Sequence, residues 1–334
     1  MSQQLPSTGA ATRWARPLAL SVWLSAAVLV AFGGAITTLR AGMAIDGWWV
    51  LDRGAGDHFL LAYPLEKWFA SSGAFAEHTH RLVGVLVGLL SIAYAVLRSV
   101  EKPRSGAKLA LAWAGLLAVC VQGAVGGFRV LENSPELAFL HGALAQLVFA
   151  LLGANVVVSA ASWSASSGSA AGAPSGADVR RLARASWWTA AAIYAQIVLG
   201  AWLRHTGVEI ALTLHIVVAA FATVAVVSLA RNLRRASASA PKLAVLSRRL
   251  VALLLAQLAL GLATLAAIFV VSGGFTAEVS GAETLSATLH VLFGALLLQQ
   301  TVAAAMWCAH LGRATAAARV ETSNASPLHW EAAR

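Results

Sequence analysis

Glu77 to Leu97 reads EHTHRLVGVLVGLLSIAYAVL, and this stretch decides the fold. From Leu82 onward it carries no charge. Near-continuous apolar runs of about 18 or more residues are long enough to cross a bilayer as a helix. Apolar and polar residues do not alternate in it, so it lacks the period-2 pattern of a barrel strand. A helix is the remaining way to satisfy its backbone in lipid. Comparable runs recur at 17–39, 109–128, 137–160, 185–203, 211–230, 250–272 and 285–309. The 334 residues are 59% hydrophobic and 11% charged, where soluble domains carry about 25% charged residues. The mean hydropathy of +0.73 agrees. The reading is an all-α membrane protein with eight transmembrane helices.

The charges orient it. Of the 24 Lys and Arg residues, Arg40, Arg53, Lys67, Arg81, Arg129 and Arg204 fall on one side of such a membrane protein, and the other 18 on the opposite side. The positive-inside rule then places both termini in the cytoplasm, as expected for a multi-pass protein of a bacterial-type plasma membrane. The net charge of +10 is dispersed between spans rather than gathered in a patch, which argues against a nucleic-acid partner. The first run exceeds the roughly 7–15 apolar residues of a signal peptide, so it reads as a retained span. Cys120 and Cys308 lie inside apolar runs and form neither a disulfide framework nor a metal-ligand spacing.

The chain divides into two halves. Residues 161–183 begin with a Ser-, Ala- and Gly-rich stretch and read as a flexible cytoplasmic linker. They join an N-terminal four-helix bundle, 1–160, to a C-terminal one, 184–310, and 311–334 form a polar, mobile tail. The halves resemble each other: GAITTLRAG from Gly34 echoes GAWLRHTG from Gly200, and Gln122 with Gly126 echoes Gln257 with Gly261. The even-numbered spans each open on a histidine, as HRLVG at His80, HGALA at His141, HIVVA at His215 and HVLFG at His290. A duplicated unit explains this pattern, giving two pseudo-symmetric four-helix bundles.

Those four histidines share one depth, near the outer membrane face. Cofactor sites in bundles are built from side chains that face each other across the core. Imidazole is an axial ligand for heme iron, and a second imidazole closes the opposite face. The expected pairs are His80 with His141 and His215 with His290. Structural zinc wants four ligands at one point, which two-histidine sites do not offer. Glu77 shares a helix face with His80; it can orient the imidazole, serve as an acid or base, or simply favour the helix N-terminus. Arg81 suits either a heme propionate or the membrane edge. Gly84, Gly88, Gly123, Gly126, Gly127, Gly142 and Gly294 allow close helix packing or room for a flat macrocycle. His78 points away from His80 and reads as an interface residue. His58 and His205 read as solvated loop residues, and His310 and His329 take no role. The loop at 38–76, with Trp48, Trp49, Tyr63, Trp68 and Phe69, suits a membrane interface.

At this point the sequence resembles the heme A synthase family. The resemblance rests on Glu77-His78-Thr79-His80-Arg81-Leu82, on Gln122-Gly123-Ala124-Val125-Gly126-Gly127, on Arg204-His205-Thr206-Gly207, on Ala41-Gly42-Met43-Ala44 and on the histidines that open the fourth, sixth and eighth spans. It covers roughly residues 18–310. The resemblance implies an oxidoreductase that converts heme O to heme A by oxidising the methyl at porphyrin position 8 to a formyl group through hydroxylated intermediates. It implies heme b on His215 and His290, the substrate heme on His80 and His141, and a catalytic Glu77 nearby. It further implies a heme O synthase as donor, and cytochrome c oxidase or its assembly factors as recipient; it leaves the electron acceptor open. The outer loop departs from the family, reading Ile45-Asp46-Gly47-Trp48-Trp49 where many relatives carry Pro-Asp-Trp-Pro, and it lacks the cysteine pair of some bacterial members. Two other classes fit the pattern of spans: a non-catalytic diheme b-type electron carrier, and a heme-delivery scaffold or transporter. Glu77 argues against the first, and the unbroken apolar middle of the spans against the second.

Overall fold

The computed structural model describes residues 10–165, 176–238, 240–275 and 278–324. Its long helices are α1 (Ala10–Thr38), α2 (Ser72–Val100), α3 (Gly106–Leu131), α4 (Pro135–Val158), α5 (Gly176–Thr206), α6 (Glu209–Arg235), α7 (Pro241–Ala266) and α8 (Gly281–Asn324). Each predicted run falls on one of them, and α7 continues through a π-helical turn, Ala267–Ser272. Among the described residues seven helices, all but α5, are long and apolar enough to cross a membrane. The chain is an all-α, multi-pass integral membrane protein. α5 has 31 residues, roughly 46 Å at about 1.5 Å per residue, but Trp187, Trp188, Tyr194 and Gln196 dilute its apolar character.

The helices pack in sequence order. α1 touches α2 and α4, and α3 touches the same two, so the first four close into a ring. α5 touches α6 and α8, and α7 touches the same two, closing a second ring. α2 and α4 stand at opposite corners of the first ring, α6 and α8 at opposite corners of the second. The rings meet where α1 and α4 pack on α8 and α4 packs on α5. Lipid supplies no hydrophobic drive between helices, so contact relies on small residues and close fit. Gly153 of α4 lies directly against Gln299 of α8, where a Cβ would stand only 2.3 Å from its side chain, and Gly115 of α3 packs closely on Asn155 of α4, at 3.1 Å. At the inner end a buried polar knot ties α2 to α4. Arg98 donates to Glu101 at 2.5 Å, to the Tyr94 hydroxyl at 3.0 Å and to Ser159 at 2.5 Å.

Two expectations change. The linker expected over 161–183 is partly helical: Ala161–Ala165 is a short helix, and α5 begins at Gly176 because Val179 and Leu182 are buried. Residues 166–175 lie outside the described residues. The tail expected to be mobile from 311 is helical to Asn324, since the Ala-rich stretch 314–318 propagates the helix. Residues 325–334, with His329, lie outside the described residues. The loop between α1 and α2 is structured. Val50–Leu51 pairs antiparallel with His58–Phe59, and Leu65–Trp68 forms one helical turn. Ile45, Leu51 and Leu60 are buried with Ala74 of α2 in a small core of their own. Trp49, Phe59, Leu61, Leu65 and Phe69 are exposed, as in a segment resting on a membrane interface.

Candidate functional site

Each of the four histidines sits in a seat made by the preceding helix. In α3, α5 and α7 a glutamine is followed four residues later by a glycine: Gln122 and Gly126, Gln196 and Gly200, Gln257 and Gly261. In α1 the same places are taken by Leu29 and Gly33. Positions four apart share a helix face. A Cβ on Gly33 would stand 3.3 Å from His80 Cε1, on Gly126 2.6 Å from His141 Cε1, on Gly200 2.9 Å from His215 Cε1 and on Gly261 3.0 Å from His290 Cε1. The glycines are there so that the imidazole can lie against bare backbone.

The partner at the other seat position holds Nδ1. His80 Nδ1 lies 3.1 Å from the Leu29 carbonyl and His290 Nδ1 3.2 Å from the Gln257 carbonyl. A carbonyl only accepts, so both rings donate through Nδ1 and carry the lone pair on Nε2; at His290 that nitrogen accepts from the Gln257 side-chain amide at 3.3 Å. The Gln122 and Gln196 side-chain amide nitrogens lie 3.1 and 3.0 Å from Nδ1 of His141 and His215, and each donates at 2.8 Å to the carbonyl of the same histidine. The amide oxygens of Gln122, Gln196 and Gln257 are buried without a partner, an unmet acceptor beside three of the four rings.

Across the first ring the His80 and His141 centroids are 6.4 Å apart at an interplanar angle of 72°. Across the second, His215 and His290 are 6.3 Å apart at 67°. Two imidazoles on opposite sides of one metal, each at about 2.0–2.1 Å with the ring centre about 1.1 Å further on, would have centroids roughly 6.3 Å apart. Both observed separations match that figure. One turn inward of each histidine stands Gly84, Ala145, Ala219 or Gly294, small residues on the histidine's own helix; at Gly294 the Gln257 side chain lies against that face, 3.2 Å from where a Cβ would stand. Among the described residues no three His, Cys, Asp or Glu converge as a metal site.

The first pair lies beneath the outer loop. Glu77 is buried and accepts from the Ile45 backbone N–H at 3.0 Å and from Arg81 at 2.6 Å. Arg81 also donates to the carbonyls of Gly47 at 2.7 Å and Ile45 at 2.9 Å. Both side chains are thus committed to the loop rather than to His80, although both flank its turn of helix. Trp48 lies flat against Gly127, next to the His141 seat. His78, expected at an interface, is instead buried against Tyr63 and Trp68, with ring centroids 4.8 and 4.9 Å away. Burial raises the Tyr63 pKa above its ordinary value, helped by Asp52, to which the hydroxyl donates at 3.3 Å.

Sequence comparison supplies the frame. The family model described as cytochrome oxidase assembly protein matches residues 16–213, more than half of the chain. The chain belongs to the cytochrome oxidase assembly protein family. The resemblance to heme A synthases is borne out: over 176 residues the chain is 30% identical to a heme A synthase of Symbiobacterium thermophilum, covering 50% of this chain and 56% of the relative. The chain thus spans little more than half the length of that relative.

In this member of the cytochrome oxidase assembly protein family, the matched region holds His80 and His141 and stops just before His215. The second pair rests on geometry and on the repeat. Gln196 and Gly33 escaped the sequence reading. Gln196 was legible, since Gln-x-x-x-Gly recurs in α3, α5 and α7 ahead of a histidine. Leu29 was not, because its contribution is a backbone carbonyl. The repeat register also shifts by one residue: Gly33, not Gly34, matches Gly200, and Gly34 packs on Thr288 of α8. His205, expected in a solvated loop, closes the last turn of α5 and lies near Phe139 of α4. His310 accepts a place at the inner end, stacked on Trp163 at 4.0 Å. A Cβ added at Gly88 or Gly123 would meet no atom of another part of the chain within 4 Å, so the space beside these two positions is open.

Proposed function

We propose that this protein is a heme A synthase: a membrane oxidoreductase that oxidises the methyl at porphyrin position 8 of heme O to a formyl group, through hydroxylated intermediates. The observation that carries the reading is the pair of matched imidazole spacings, 6.4 and 6.3 Å, in a cytochrome oxidase assembly protein. His80 and His141 bind the substrate heme; His215 and His290 bind heme b. Heme b, held by His215 and His290, would supply a one-electron carrier. The asymmetry between the halves supports this division. A carboxylate, Glu77, precedes His80 by three residues, whereas Leu212 and Ala287 stand at that place before His215 and His290.

The chain's own groups orient and enclose. Each seat glycine sets the height of one imidazole, and the Leu29 carbonyl holds the His80 ring in the tautomer that would leave Nε2 to an iron. Glu77 is a positioning residue: with Arg81 it fastens the loop over the first pair, and Arg81 adds positive charge at the rim. Trp48 closes the space above the His141 seat and keeps water out. The chain crosses a bacterial plasma membrane eight times as two four-helix bundles, with both termini cytoplasmic. Heme O synthase delivers the substrate, and cytochrome c oxidase assembly takes the product.

The test separates the pairs. In the purified protein, His215→Ala and His290→Ala are expected to lose the resident heme b, while His80→Ala and His141→Ala retain it and lose bound heme O. Full retention of heme b in both second-pair variants would refute the assignment.

A further inference from the structure

The rim of the first pair carries more positive charge than its partners neutralise. Arg81 and Arg129 both lie there, with one carboxylate, Glu77, between them. Glu77 is taken: one oxygen pairs with Arg81 at 2.6 Å and the other accepts from Ile45 N–H at 3.0 Å. Among the described residues the ion pairs are Lys67 with Asp52, Arg81 with Glu77 and Arg98 with Glu101; Arg129 is in none of them. It comes from the last turn of α3 and is half-buried. Its one hydrogen bond among those residues is a long one, 3.4 Å from Nη2 to the Gly42 carbonyl. Gly126, which seats His141, lies three residues before Arg129 on the same face of α3. A partly buried cation without a close counter-ion is costly and is normally paired. Seven residues before Arg129 stands the seat residue Gln122; seven residues after the matching Gln257 stands Thr264. The cation of the second half, Arg204 in the last turn of α5, is already satisfied: it donates to the Gly34 carbonyl at 2.8 Å and to the Thr38 hydroxyl at 2.6 Å.

We infer that Arg129 binds a carboxylate of the macrocycle held between His80 and His141, and so sets its orientation. The inference rests on the heme reading above. A porphyrin of this class carries its negative charge on two propionates, and a guanidinium meets a carboxylate in a bidentate fork. Arg81, the other candidate, has its terminal nitrogens engaged by Glu77, Ile45 and Gly47. On the porphyrin, the position-8 and position-5 methyls each share a pyrrole ring with a propionate. Anchoring the propionate edge at the outer end of α3 keeps these two methyls, and not the other two, near that end. Arg129 thereby narrows which methyls can be oxidised. Gly42 belongs to the same device, because a methyl there would stand 2.8 Å from Nη1 and push the guanidinium off its place.

The test uses ferric protoporphyrin IX and its dimethyl ester, which differ only in the charged carboxylates. Both are titrated into the full chain carrying His215→Ala, so that the bis-imidazole absorbance reports the first pair. Arg129→Gln is expected to weaken the free acid roughly 10- to 100-fold, the range of a hydrogen bond to a charged group, and the ester less than about 2-fold. Arg129→Lys, which keeps the charge, recovers part of the loss. Should Arg129→Gln fail to fold, Gly42→Ala is expected to show the same acid-selective loss. If Arg129→Gln weakens acid and ester equally, or neither, the assignment is overturned while the heme reading stands. If the parent chain takes up neither porphyrin, the heme reading falls and this one with it.

Discussion

The seat glycines allow the sharpest prediction, because alanine at each asks for a different displacement. To restore an ordinary contact of 3.4 Å, the imidazole must retreat by about 0.8 Å at Gly126, about 0.5 Å at Gly200, about 0.4 Å at Gly261 and about 0.1 Å at Gly33. Alanine in a helix is intrinsically favoured over glycine by roughly 0.8–1 kcal/mol, whereas overpacking costs typically 1–3 kcal/mol. The fold therefore survives, and the strain falls on the ring position. A shift near 0.8 Å consumes much of the tolerance of an axial ligand whose partner is 6.4 Å away. In the first pair, Gly126→Ala is expected to lower occupancy severely and Gly33→Ala to leave it close to wild type. In the second pair, Gly200→Ala and Gly261→Ala are expected to lose similar, intermediate amounts. The assay is heme content per protein together with the low-spin spectrum of the ferric form, with thermal stability as the control. Equal occupancy and unchanged spectra in Gly126→Ala and Gly33→Ala, with both folded, would refute the seat argument.

Four further outcomes follow from particular contacts. Glu77→Gln keeps the shape but loses a charged pair that is almost fully buried, so the loop is expected to loosen by roughly 1–3 kcal/mol; limited proteolysis within 48–57 would accelerate, and unchanged cleavage would contradict the clamp. Ser159→Ala removes a partner shared by Arg98 and Tyr94; a loss of about 1–3 kcal/mol is expected, read as a lower unfolding temperature, and an unchanged one would count against the knot. Trp48→Ala uncovers Gly127 beside the His141 seat; faster loss of heme from the first pair but not the second is expected, and equal rates would contradict the lid role. Tyr63 has a raised pKa, so its protonated form is the one favoured by folding: its bond to Asp52 is fully present below pH about 10 and is lost as pH rises through the higher folded value. Ultraviolet titration against Tyr63→Phe should place this phenol above free tyrosine, and a midpoint at or below it would contradict the buried contact.

The spans were legible because lipid imposes one rule on every helix that crosses it, and a run such as Leu82–Leu97 obeys it without help from distant residues. α5 is the least legible, since Trp187, Trp188 and Gln196 weaken its apolar signal while its neighbours hold it in place. The four histidines were readable from the repeat, and their pairing follows from the diagonal places of α2 with α4 and α6 with α8. What the sequence concealed is non-local. Glu77 meets Ile45 and Gly47 across a loop whose strands are two residues long, too short to announce themselves. Leu29 acts through its carbonyl, which any residue would offer. Arg81, adjacent to His80, suited a heme propionate or the membrane edge; the structure shows it engaged by the loop, through Glu77, Ile45 and Gly47.

The most direct measurement of the central claim is the heme content of a host lacking heme A, in which this protein is co-expressed with a heme O synthase. Extracted hemes are separated and identified by mass. The account predicts heme A together with hydroxylated heme O, both lost in His80→Ala and His141→Ala. Heme O alone, from a preparation in which both histidine pairs are occupied, would contradict it.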